Sequence, residues 1–225
     1  MANRFINQAA SGLASLRPYV PGKPLAELER ELGIGGSIKL ASNENPLGPS
    51  PQVRAALEAQ ISDLSRYPDG GAYELRRALA AHHDVDAACV TVGNGSNDVL
   101  DMVARVFLWS GRESLFSQYA FAVYPISSMA VGATLRIVPA VDYGHDLVAM
   151  RAMVTERTGV VWIANPNNPT GTHLGKSALR QFIESLPSQL IVVIDEAYFE
   201  YANEHDSPDA SQWLGDFPVS YTHLT

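Results

Sequence analysis

Three short segments of the chain hold residue types able to do chemistry. The first is Gly93-Asn94-Gly95-Ser96-Asn97-Asp98, two glycines just ahead of a helical pattern. Glycine lets the backbone turn tightly, and the first N–H groups of a helix have no intrahelical partner. Such a turn can cradle a phosphate. It can equally be an ordinary glycine turn with Ser96 as N-cap. It is not the dinucleotide fingerprint, because Asp98 stands where the third glycine belongs and no acidic strand end follows at the right distance. The second, Asn165-Pro166-Asn167-Asn168-Pro169-Thr170-Gly171, packs two prolines and three asparagines into seven residues. A neutral asparagine can donate to an oxyanion or a phenolate. A turn with side-chain-to-backbone bonds is the plainer alternative, but it needs fewer turn formers than are present. The third, Asp195-Glu196-Ala197-Tyr198, follows the apolar run Ile191–Ile194. A carboxylate at the end of a buried strand is costly unless a cation meets it. A protonated ring nitrogen or a metal would serve, and Tyr198 can add a hydroxyl to the same place. The alternative is Asp195 as the N-cap of a following helix.

The same region invites a nucleotide-hydrolase reading. An apolar run ending in Asp-Glu resembles a Walker B strand, and Gly171-Thr-His-Leu-Gly175-Lys176-Ser177 resembles a P-loop. The P-loop needs four residues between its glycines, and here there are three, so that reading is set aside.

The elements that must position these segments alternate. Helical patterns cover Leu25–Leu32, the stretch opening at Pro51, and Tyr73–His82; Lys39–Pro51 reads as extended chain and loops, and Tyr67–Gly71 as a turn. From there, strands at Cys89–Val92, Glu113–Ser117, Thr134–Val138, Val160–Ala164 and Leu190–Ile194 alternate with helices at Ser96–Leu108, Ala120–Val131, Leu147–Thr155 and Lys176–Leu186. That order gives βαβ units and an α/β fold with a mostly parallel sheet. The strands are continuous apolar runs, as expected when helices cover both faces. In such sheets ligands bind beyond the carboxyl ends of the strands, where the three segments lie.

Composition narrows the function classes. Of the 225 residues, 16 are basic and 24 acidic, a net charge of -8, which disfavours nucleic-acid binding. No apolar stretch approaches a membrane span, and Met1–Val20 lacks the apolar core of a secretory signal. The lone Cys89 excludes an internal disulfide and, flanked by Ala87, Ala88 and Val90, is expected to be buried. A cytoplasmic protein with a small-molecule substrate, and neither a nucleic-acid nor a membrane partner, is the expectation.

The runs RPYVPGKPLAELERELG, KLASNENPLGPSP, RYPDG, TVGNGSND, FSQYAFAVYP, VPAVDYGHDL, IANPNNPTGT and VVIDEAYFEY resemble the histidinol-phosphate aminotransferases, from about Arg17 to Pro218. The resemblance implies the large domain of a fold-type-I transferase dependent on pyridoxal 5'-phosphate, incomplete here, with the N-terminal segment belonging to a small domain. It implies a division into residues 1–50 (arm and small-domain segment), 51–218 (cofactor-binding domain) and 219–225 (a tail unlike the family). The implied reaction turns histidinol phosphate and 2-oxoglutarate into imidazole-acetol phosphate and glutamate, in histidine biosynthesis. An aromatic-amino-acid aminotransferase, a threonine-phosphate decarboxylase and a non-catalytic ligand-binding module remain alternatives.

The resemblance also assigns roles. Asp195 would keep the pyridine nitrogen protonated, Asn168 and Tyr198 would bond the phenolic oxygen, and Gly95, Ser96 and Asn97 would hold the phosphate. Tyr119 would stack on the ring, and Tyr67 would reach the phosphate in a neighbouring subunit of a homodimer. Tyr19 and Asn43 would line the substrate site. A cis bond is implied at Asn168–Pro169. The family's Schiff-base lysine lies in a Ser-Lys pair beyond a further strand; Lys23, Lys39 and Lys176 do not match it, so no catalytic residue is assigned. The chain is therefore expected to be a truncated copy, its last seven residues a frameshift or cloning scar. It is also expected to be inactive and aggregation-prone, because a parallel sheet missing its last strands exposes an unpaired edge and uncovered apolar surface.

Overall fold

All seven residues of Thr158–Ala164 are buried, which a strand achieves only when both faces of its sheet are covered. In the computed structural model, which describes residues 12, 16–19, 21–202, 206, 208–217 and 220–223, this segment is the central strand of five. The strands are β1 (Glu113–Ser117), β2 (Thr134–Val138), β3 (Thr158–Ala164), β4 (Ile191–Asp195) and β5 (Ser220–His223). Their order is β2-β1-β3-β4-β5 and every pairing is parallel. The helices are α1 (Leu25–Leu32), α2 (Pro51–Gln60), α3 (Tyr73–His83), α4 (Gly95–Phe107), α5 (Val123–Ala130), α6 (Leu147–Met153) and α7 (Lys176–Ser185).

Side chains alternate across a strand, and the core divides accordingly. Val160, Trp162 and Ala164 pack with Phe116, Val193, Leu100 and Val103 of α4, and Tyr124 of α5. Val161 and Ile163 pack on the other face with Leu115, Val192, Met150 of α6, and Leu179 and Phe182 of α7. The sheet thus carries helices on both faces, as the apolar runs required. At the amino end of β1, buried Glu113 meets Arg136 at 2.8 Å, Arg157 at 2.7 Å and the Thr155 hydroxyl at 2.7 Å. The Arg136 bond is the main reason its carboxyl drops to about 2.

Two compact units result, one of residues 18–72 and one dominated by residues from 73 onward. The division groups α2 with the N-terminal segment rather than with the sheet. In the first unit α1 stops at Gly33, whose φ of 66° is the left-handed cap geometry that glycine permits. Helix α2 opens on Ser50, whose side chain accepts from the Val53 N–H at 3.3 Å, with Pro51 at the first position. Neither helix buries a residue, and Leu40, Leu47 and Leu64 are exposed.

Three expectations are corrected. Cys89–Val92 is not a strand: Ala87–Cys89 is a single 3-10 turn capped by the Asp86 carboxylate, which accepts from Ala88 N–H. Arg76 donates to the carbonyls of Ala87 (2.7 Å) and Val90 (2.9 Å), so a side chain takes acceptors that a ladder would need. Cys89 is exposed rather than buried. The helix expected from Ala120 begins at Val123, because the Ala120 N–H turns back to the Ser117 carbonyl. Beyond β4, Val192, Val193, Ile194 and Asp195 lie in register with Ser220, Tyr221, Thr222 and His223, so among the described residues the sheet ends on β5.

Candidate functional site

The carboxyl ends of β1, β3 and β4 bring the singled-out segments together. Pairing of Ala164 with Asp195 sets the asparagine loop beside the acidic strand end. The Asn165 N–H donates to the Asp195 carbonyl at 2.9 Å. The Asn165 side chain closes the loop by accepting from the Leu174 N–H at 2.7 Å and donating to its carbonyl at 3.1 Å. Asn165–Pro166 and Asn168–Pro169 are both cis. Three of the asparagine-loop side chains therefore differ in use: Asn165 staples the loop, Asn167 reaches Tyr119, and half-buried Asn168 makes no hydrogen bond among the described residues.

Asp195 is 5% exposed. One oxygen accepts from the Tyr124 hydroxyl at 2.8 Å, the other from the Ala197 N–H at 3.2 Å. No Lys, Arg or His among the described residues pairs with it. Burying a carboxylate with only neutral donors around it is costly, and a cationic partner would offset that cost. Tyr124 is itself fixed. Its ring stacks on Trp162 at 5.2 Å and 14°, Trp162 Nε1 donates to Ser114 Oγ at 2.8 Å, and Ser114 and Ser128 hydroxyls bond at 2.7 Å. Ser128 Oγ then donates to the Tyr124 carbonyl at 2.7 Å, closing the ring of contacts. Burial first, and the facing Asp195 second, push the Tyr124 phenol well above its ordinary value. It remains a donor throughout the neutral range.

Glu196 faces away from this pattern. It is 1% exposed, accepts from the Ala210 N–H at 3.1 Å, and burial drives its carboxyl up to about 8. Burial thus favours the neutral form of Glu196 at neutral pH.

The phosphate-cradle segment is the N-terminus of α4. A Cβ on Gly159, at the start of β3, would lie 2.8 Å from the Phe107 carbonyl, so α4 ends at the amino edge of the sheet. Its 13 residues rise about 20 Å, which matches the length of β3 and carries Gly95 to the carboxyl edge. Asn94, not Ser96, is the N-cap, and it makes no side-chain cap bond. Instead Asp98 accepts from the Asn94 N–H at 2.9 Å. Gly95 sits at φ 74° with nothing within 4 Å of where a Cβ would stand.

Tyr119 is 38% exposed, at the turn after β1. Tyr198 is half-buried, its ring 6.4 Å from that of Tyr201. Tyr67, Tyr19 and Asn43 fall in the 18–72 unit: Tyr67 and Tyr19 are exposed, and Asn43 has a left-handed φ of 51°. Sequence reasoning missed Tyr124 as the partner of Asp195 and Asn167 as the tie to Tyr119. A phenol in an apolar run signals that some partner must exist, but not which one. Among the described residues no cluster of His, Cys, Asp and Glu could hold a metal, and no helix is long and apolar enough to cross a membrane.

The parallel sheet with helices on both faces matches the fold of the pyridoxal-phosphate-dependent aminotransferases. The chain belongs to the class I and II aminotransferases, whose family model matches residues 36–217. Within that family it is 53% identical over 216 residues to histidinol-phosphate aminotransferase 2 of Pseudomonas aeruginosa, covering 95% of this chain and 58% of that protein. It is 52% identical over 207 residues to histidinol-phosphate aminotransferase 1 of Idiomarina loihiensis, covering 92% of this chain and 56% of the relative. The fold is similar to the crystal structure of histidinol-phosphate aminotransferase from Sinorhizobium meliloti in complex with pyridoxal-5'-phosphate. The TM-score is 0.85 at 27% identity, over 96% of this chain and 57% of that one. The chain thus spans a little more than half the length of these relatives.

Proposed function

We propose that this chain carries the cofactor-binding part of a pyridoxal 5'-phosphate-dependent aminotransferase acting on histidinol phosphate and 2-oxoglutarate, to give imidazole-acetol phosphate and glutamate. The observation that carries the reading is Asp195: a buried carboxylate at the end of β4, held by a phenol and an amide, with no cationic side chain paired to it among the described residues. A protonated pyridine nitrogen is the cation such a site would take. The substrate assignment is supported by relatives of about half identity that bear the histidinol-phosphate name.

When bound, pyridoxal phosphate supplies an electron sink for charge developing at the substrate Cα. The chain's own residues would set that sink. Asp195 would hold the proton on the ring nitrogen. Asn168, whose amide is uncommitted among the described residues, and Tyr198 would donate to the phenolic oxygen. The N–H groups of Gly95, Ser96 and Asn97 would take the phosphate, assisted by the helix dipole. Tyr119 would cover the ring face. Tyr19 and Asn43 would line the substrate site, and Tyr67 would serve the phosphate of a second copy in a homodimer. Its full exposure and the exposed leucines of residues 18–72 support that assembly. A cytoplasmic location is part of the same proposal. Lys23, Lys39 and Lys176 are the only lysines of this 225-residue polypeptide, which is proposed to bind the cofactor without covalent attachment and without turnover.

The test is a titration of the chain with pyridoxal phosphate, followed by absorbance and by induced circular dichroism of the cofactor band. Saturable binding is expected, weakened roughly tenfold or more by Asp195→Ala, the equivalent of about 1.4 kcal/mol. Histidinol phosphate, and not phenylalanine, should then perturb the band. Absence of binding, or equal binding by Asp195→Ala, refutes the cofactor assignment.

A further inference from the structure

The turn after β2 puts one of its two central residues against its preference. Val141 and Gly144 form a bridge, the Gly144 N–H donates to the Val141 carbonyl at 2.8 Å, and both central residues are left-handed, Asp142 at φ 48° and Tyr143 at φ 61°. A two-residue turn of this type wants Asn-Gly, because its second central position is comfortable chiefly for glycine. A tyrosine there is a strained choice, and strain held at one place needs a reason.

The reason lies opposite. The Tyr143 ring is 5.4 Å from the Tyr119 ring, tilted by 36°. The two tyrosines are also joined through their backbones by one chain of hydrogen bonds running through the asparagine loop. Asn167 Nδ2 donates to the Tyr119 carbonyl (3.1 Å) and to Thr170 Oγ1 (2.7 Å). Thr172 Oγ1 donates to the Tyr143 carbonyl (3.4 Å). The Thr172 proton is thereby used, so in the Thr170–Thr172 contact at 3.0 Å the proton comes from Thr170. A single polar strap thus fixes both backbones while the rings meet in front of it. The tyrosine pair thus sits against the asparagine loop, with the outer ring supplied by this strained turn.

We infer that Tyr143 is a positioning residue: its ring holds Tyr119 in the orientation needed to cover the cofactor, an inference that rests on the pyridoxal-phosphate reading above. It acts through Tyr119 and not on the substrate. The hydroxyl of Tyr143 has no partner among the described residues, so the ring alone carries the role.

Three variants test this. Tyr143→Gly and Tyr143→Asn suit the left-handed turn but remove the ring; Tyr143→Phe keeps the ring and the strain. Two readouts are used: nitration of Tyr119 by tetranitromethane, located by peptide mass spectrometry without cofactor, and pyridoxal phosphate affinity. Tyr143→Gly and Tyr143→Asn are expected to melt within about 3 °C of the parent. They should nitrate Tyr119 several-fold faster and bind the cofactor roughly fivefold more weakly, the scale of one aromatic pair. Tyr143→Phe should match the parent in both. Parent-like nitration and affinity in the glycine and asparagine variants overturn the inference. Failure of the parent itself to bind pyridoxal phosphate overturns the cofactor reading instead, while the nitration rates still decide whether Tyr143 holds Tyr119.

Discussion

Replacing Tyr124 by phenylalanine removes one oxygen atom from the centre of the fold. That oxygen donates to Asp195 at 2.8 Å between two buried side chains, 1% and 5% exposed. A hydrogen bond to a charged acceptor contributes about 1.5–3 kcal/mol net, and here the carboxylate would keep only the Ala197 N–H at 3.2 Å. The ring itself is retained, with its stack on Trp162 and its edge contact with Phe121 at 5.9 Å, so no cavity opens. The expected loss is therefore about 2 kcal/mol, against about 3–5 kcal/mol for Tyr124→Ala, which also empties the site. Guanidinium unfolding at pH 7, followed by tryptophan fluorescence, measures it. A double-mutant cycle with Asp195→Ala separates the pair from its surroundings and should give a coupling of about 1.5 kcal/mol or more. Because the phenol is raised above its ordinary value, its contribution should persist at neutral pH and decline only as pH climbs past that value. A Tyr124→Phe variant within about 0.5 kcal/mol of the parent, or one additive with Asp195→Ala, would show that the contact does not hold the carboxylate.

The remaining predictions concern the two buried glutamates and one close approach. Glu196 keeps its proton up to about 8 in the fold but only to about 4.5 in the unfolded chain, so stability should fall as pH rises across that window. Glu196→Gln, which retains the acceptor for Ala210, should remove a slope worth a few kcal/mol; identical slopes in parent and variant would refute the buried neutral acid. Glu113 behaves oppositely: its contribution is present above the ordinary carboxylate value of 4.5 and is lost as pH falls toward 2. Glu113→Gln should cost about 2 kcal/mol or more at pH 7 and almost nothing near pH 2, read by acid and denaturant titration together. Gly159→Ala would set a methyl 2.8 Å from the Phe107 carbonyl and 3.0 Å from Leu108 Cδ2, and should cost about 1–3 kcal/mol by thermal unfolding.

What the sequence made legible was whatever a local pattern encodes. The runs Glu113–Ser117, Thr134–Val138 and Leu190–Ile194 are short and set between helical patterns, and they are strands to within a residue at each end. Cys89–Val92 has a similar look but sits beside Asp86 and within reach of Arg76, and two side-chain interactions convert it into a turn. Tertiary hydrogen bonds of that sort override propensity and leave no periodic trace.

The same distinction separates the parts of the candidate site. Asp195 could be singled out because a charge at the end of an apolar strand is anomalous by itself, and the asparagine loop because its composition exceeds the needs of a turn. Tyr124 could not be: its partner lies 71 residues away, and the two meet only because the sheet order places β1 and β4 on either side of β3. Tyr143 was hidden for a different reason. Asp142 suits a left-handed position but Tyr143 does not, and the strain at Tyr143 exists only in the backbone angles. A carboxylate can thus be proposed as a ligand from sequence, whereas the groups that orient it are set by topology. The order β2-β1-β3-β4-β5 makes Asp195, Tyr124, Asn167 and Tyr119 neighbours. For that reason the loss expected at Tyr124 should appear as coupling to Asp195 and not as a local effect on α5.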